Sequence, residues 1–89
     1  MHFFYKKKNL NRHPLIQFLG WYGVAAILFA YALLTLGVLT SHAVWYQLLN
    51  LTGAIGLVLD GYVDRDYQPM TLNLIWTAVA LFGLISLLV

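Results

Sequence analysis

The stretch that decides the fold runs from His13 to Leu59, HPLIQFLGWYGVAAILFAYALLTLGVLTSHAVWYQLLNLTGAIGLVL, and contains no Asp, Glu, Lys or Arg. It is long enough for two helical crossings of a hydrocarbon layer about 30 Å thick, each needing roughly 20 apolar residues. A turn expected around Leu39, Thr40, Ser41 and His42 divides it, and Ser41 or Thr40 is placed to cap the second helix. A third apolar stretch follows Pro69 and runs to Val89. The expected fold is all-α: a transmembrane three-helix bundle with spans at about 15–38, 43–62 and 70–89. Residues 15–89 form its single domain, preceded by a basic, aromatic arm over residues 1–14. Strict polar/apolar alternation is absent, which excludes a transmembrane β-barrel.

Three crossings would leave all the charged side chains on one side. Lys6, Lys7, Lys8 and Arg12 precede the first span, and Asp60, Asp64, Arg65 and Asp66 lie between the second and third. The positive-inside rule then puts the amino terminus in the cytoplasm and the carboxyl terminus outside. The arm's Lys6, Lys7, Lys8 and Arg12 are expected to meet anionic lipid headgroups, at about 1 kcal/mol each near the surface. Asp60 reads as a solvated acid at the edge of the second loop. Ala30-Tyr31-Ala32 has the spacing of a signal-peptide cleavage site, but the apolar run continues to Val38, beyond a typical signal, so a retained first span is expected.

Composition agrees with lipid rather than water as the main solvent. Of 89 residues, 62% are hydrophobic and 9% charged, whereas about a quarter of a soluble domain's residues carry charge. The chain contains no cysteine, which excludes disulfides and thiolate chemistry. The sequence offers no catalytic triad, metal-ligand cluster, phosphate-cradling glycine loop or cofactor signature, so no enzymatic activity is expected. Four basic residues on one short arm are too few for a nucleic-acid footprint.

Within lipid, helices associate through small residues and interhelical hydrogen bonds. In the first span Gly23, Ala26, Ala30 and Gly37 share one helical face; Gly53 and Ala54 in the second and Ala80 and Gly83 in the third extend the set of expected packing positions. Asn50, with Gln47 at its edge, and Asn73, Trp76 and Thr77 form polar faces on the second and third spans. An amide offers two donors and a two-lone-pair acceptor that lipid cannot satisfy. These five residues are either interhelical glue, at about 0.6 kcal/mol per pair, or the lining of a polar solute pocket. Tyr22, Trp45, Tyr46, Tyr62 and Tyr67 fall near the expected interfaces, where amphipathic rings are favoured.

Gly20-Trp21-Tyr22-Gly23, Tyr46-Gln47-Leu48-Leu49-Asn50-Leu51, and Tyr67-Gln68-Pro69 followed by Leu72-Asn73-Leu74-Ile75-Trp76 together resemble a family of small bacterial three-span membrane proteins, which implies the inner membrane. More distantly the layout is similar to SemiSWEET and PQ-loop (MtN3-like) proteins, three-helix units that dimerise around a sugar path. That resemblance implies a homodimer transporting a small polar solute, with Asn73 facing the pocket. The proline-glutamine hinge of that group is missing: the first span has no proline after Pro14, and Gln68-Pro69 reverses the order. The alternatives are a non-transporting accessory or regulatory subunit packed against a larger membrane protein, and a lipid-binding module. Transport and accessory assembly alike need a partner that packs on the small-residue stripes.

Overall fold

A computed structural model describes residues 13–89. Three helices make up nearly all of it: α1 (Pro14–Thr35), α2 (Val44–Val63) and α3 (Tyr67–Leu88). Among the described residues there is no strand. α2 is the central element: α1 and α3 each pack against it but not against each other.

The helix ends follow from local chemistry. Pro14 opens α1 where its missing N–H has no partner to lose, and His13 caps it, its Nδ1 accepting from the Leu15 N–H at 3.0 Å. α1 ends three residues before the expected Val38. Val38 N–H donates to the Leu33 carbonyl at 2.9 Å and Gly37 N–H to the Leu34 carbonyl at 3.1 Å, with Gly37 at φ 81. This is a Schellman closure, and glycine supplies its left-handed residue without a Cβ clash. α2 closes the same way, with Asp66 N–H on the Gly61 carbonyl and Arg65 N–H on the Tyr62 carbonyl. Here the left-handed position is occupied by Arg65, at φ 56.

A side chain with a Cβ is unfavourable in that conformation by roughly 1–2 kcal/mol. Arg65→Gly is therefore expected to raise stability by up to about 1 kcal/mol once the lost Arg65 contacts are counted. Thermal unfolding of the two proteins in one detergent checks it, and an unchanged midpoint would remove the strain from the account.

Two expected features are corrected. Neither Thr40 nor Ser41 caps α2: Ala43 is its N-cap and makes no side-chain cap bond. The Thr40 hydroxyl instead accepts from His42 N–H inside the turn, at 3.3 Å. α3 begins at Tyr67, before Pro69 rather than after it. Proline at the third helical position costs no hydrogen bond, since the first turn's N–H groups have no helical partner.

α1 and α3 are each long and apolar enough to cross a membrane, and α2 falls short of that standard. Its Gln47, Asn50, Thr52 and Asp60 lower its apolar character, and its central position gives it cover on two sides. The outer faces of the flanking helices stay apolar and open. Trp21 is 76% exposed, Phe82 73% and Leu28 62%, surface that water tolerates only in small patches.

Candidate functional site

The buried centre of the molecule is built from small side chains: Ala26, Ala30, Ala54 and Ala80, with Asn50 as the buried polar residue. Gly20, Gly23, Gly53, Gly56 and Gly61 are buried with them. A Cβ on Gly23 would lie 2.5 Å from the Gly53 carbonyl oxygen, and one on Gly56 would lie 2.6 Å from that of Leu19. Backbone therefore meets backbone between α1 and α2. On the other side of α2, a Cβ on Gly61 would stand 3.0 Å from Met70 Cβ, and one on Gly83 would stand 2.8 Å from the Gln47 amide.

The small-residue set is thus used inside the chain. Gly23, Ala26 and Ala30 of α1 and Gly53, Ala54 and Ala80 are buried, and Gly83 is half-buried against Gln47. This corrects the expectation that the stripe on α1 serves a second protein, because α2 already occupies it. Gly37 is corrected as well: it lies beyond the end of α1, is exposed, and a Cβ there would meet nothing within 4 Å. Gly56 and Gly61 pack as well: the step of three from Gly53 signals Gly56, whereas Gly61 faces α3 and its spacing from Gly53 does not signal it.

The structure brings Asn50 and Trp76 together. Trp76 Nε1–H donates to Asn50 Oδ1 at 3.0 Å, while Asn50 Nδ2 donates to the Tyr46 carbonyl at 2.8 Å. With Asn50 only 4% exposed, both ends of its amide are engaged within the protein. Gln47 is engaged too, its Nε2 donating to the Ser41 carbonyl at 2.9 Å, which ties the first turn to α2.

Asn73 and Thr77 are not drawn into that pair. Asn73 Nδ2 donates to the Pro69 carbonyl at 2.9 Å and Thr77 Oγ1 to the Asn73 carbonyl at 2.7 Å. Thr52, Thr71 and Ser86 bond back to the carbonyl four residues earlier in the same way. Such local bonds satisfy a hydroxyl or amide without help from another helix.

A second interhelical bond was not foreseen. Tyr22 Oη lies 2.6 Å from Thr52 Oγ1. Thr52 directs its only hydroxyl proton to the Leu48 carbonyl, so Tyr22 must be the donor. Tyr22 therefore anchors α1 to α2, whereas Trp45, Tyr62 and Tyr67 are exposed near helix ends as expected. Asp60 is also corrected. It belongs to the last turn of α2, and a Cβ on Gly20 would lie 2.9 Å from its Cγ, so its carboxylate rests against α1 and not in the loop.

Lys6, Lys7, Lys8 and Arg12 lie outside the described residues. Among the described residues, no group of three or more His, Asp or Glu side chains is placed to hold a metal. The arrangement as a whole is a hydrogen-bonded packing seam on each side of α2.

A family model matches residues 16–89, a span that takes in α2, α3 and all but the first two residues of α1. No curated protein and no solved structure matches the chain, so neither links it to the SemiSWEET or PQ-loop proteins.

Proposed function

Since the chain belongs to this uncharacterised family, no activity passes to it by kinship, and we propose from its own residues that it is a three-span integral membrane protein with an accessory, non-transporting role. α1 and α3 present apolar outer faces suited to lipid. Between them α2 crosses as the more polar member, with its amides and hydroxyls held by internal partners. The charged groups then share the cytoplasmic side, where Lys6, Lys7, Lys8 and Arg12 face anionic headgroups, and the carboxyl terminus lies outside.

The engaged Asn50 amide carries the preference for an accessory role. A solute pocket needs polar groups with bonds to offer, and this one is bonded at both ends and 4% exposed. Solute transport by a homo-oligomer is the second reading, favoured by Asn73, which is half-buried and whose Oδ1 has no hydrogen bond among the described residues.

The chain has no cysteine, so single-cysteine variants report topology cleanly. His42→Cys is expected to label from outside the cell and Gln68→Cys only after cytoplasmic access is opened; labelling of both from one side would end the three-span reading. Role is tested by extracting the protein in native lipid and reconstituting it in liposomes. A stoichiometric larger partner without flux of sugars or other small polar tracers supports the accessory role. Flux that Asn73→Ala abolishes, with the oligomer intact, would establish transport instead.

A further inference from the structure

We infer that this chain fits a hydrocarbon layer only about 20 Å thick, well below the usual 30 Å or so, and that the Asp60 carboxylate sets its cytoplasmic boundary. The inference rests on the three-span reading above. Asp60 lies within α2 and its carboxylate sits against Gly20 of α1. Gly20 is six residues past Pro14, which puts the carboxylate about 9 Å along α1 from its start at 1.5 Å per residue. Were the first residue of α1 at the hydrocarbon boundary, the carboxylate and any group it pairs with would be carried that far into lipid, where ionised side chains are strongly disfavoured. The boundary therefore passes at the level of Gly20, and the first turns of α1, with exposed Gln17, lie among headgroups.

The distance from that level to the far side is limited by the helices themselves. In α1, Gly20 to Thr35 spans about 22 Å. The contact of Gly56 with Leu19 places Gly56 at the same level in α2, and from there back to Val44 is about 18 Å. Both lengths fall short of an average bilayer, and any tilt shortens them further. The fitting partner is a thin bilayer, or one that thins around the protein.

The full chain is reconstituted in phosphatidylcholine vesicles with two monounsaturated acyl chains of 14, 16, 18 or 20 carbons. Its thermal unfolding is then followed by tryptophan fluorescence. The expected midpoint is highest with 14-carbon chains and falls steadily to 20. Asp60→Leu is expected to move the optimum at least two carbons longer; if that variant does not fold, Asp60→Asn, of the same size without the charge, reads the same shift. An optimum at 18 or 20 carbons in the parent, or an optimum that stays at 14 in the folded variant, overturns the inference. Failure of the parent to float with any of these vesicles would instead sink the membrane reading on which it rests.

Discussion

Gly23→Leu is expected to destabilise the α1–α2 pair by about 3 kcal/mol, at the upper end of what overpacking costs, and to separate the two helices. The nearest atom to a Cβ at Gly23 is the Gly53 carbonyl oxygen, at 2.5 Å, followed by Leu57 Cγ at 2.7 Å. A carbonyl in the middle of a helix cannot rotate away, so the whole of α1 must move outward. That movement would also strain the Tyr22–Thr52 bond, whose 2.6 Å length requires close helices. Gly83→Ala provides the contrast. Its new methyl meets the end of the Gln47 side chain, which can shift at the expense of its bond to the Ser41 carbonyl, and the better helix propensity of alanine offsets the displacement to within about 1 kcal/mol. Reversible unfolding in mixed micelles measures both. Equal effects from the two substitutions would mean that backbone contact at Gly23 does not govern the pairing.

Asn50→Leu is expected to cost about 1–2 kcal/mol, although leucine has the same branched skeleton as asparagine and is better suited to lipid. The loss arises from the Trp76 indole N–H, which keeps its proton and has no acceptor once Oδ1 is removed; a donor that neither the protein nor lipid satisfies costs about 1–3 kcal/mol. Removing both partners should recover part of that loss. In a double-mutant cycle, Asn50→Leu with Trp76→Phe is expected to show a coupling of roughly 0.6–1.7 kcal/mol, the range found for interhelical bonds in membranes. Thr77→Val should be nearly silent, because the Thr77 hydroxyl serves only its own helix at Asn73. A coupling near zero would show that the Asn50–Trp76 contact is incidental to α2–α3 packing.

Much of the fold was legible because its signals are local. The charge-free run from His13 to Leu59 and the charged segment after it placed three helices to within a few residues. Gly37 shows where the reading lost resolution. Its place nearly four turns after Gly23 suits the same helical face, and the same glycine suits a left-handed cap; the cap won because it closes the carbonyls of α1. Pro69 misled in the opposite direction, since proline is as acceptable at the third residue of a helix as before the first.

The candidate site was harder to read because its content lies in pairings between helices. Asn50 and Trp76 stood out individually as polar residues among apolar ones, yet nothing in the spacing says that one caps the other's indole. Gln47 and Asn73 look alike in sequence, but one reaches the first turn and the other its own helix. In sequence Asp60 reads as a solvated loop acid because a carboxylate at the carboxyl end of a helix meets the unfavourable end of its dipole. Only the register of α2 against α1 reveals that the carboxylate lies over Gly20.

The arrangement of α1 and α3 on α2, with no contact between the outer helices, bears on how the chain is assembled as it is made. Every tertiary contact between helices belongs to one of two successive hairpins, so no pairing waits for distant parts of the chain to meet. Proteins dominated by such near-neighbour contacts form quickly. The α1–α2 hairpin holds its glycine contact and its Tyr22–Thr52 bond before any residue of α3 is needed. Its pairing therefore does not wait for α3, which docks on a surface already formed.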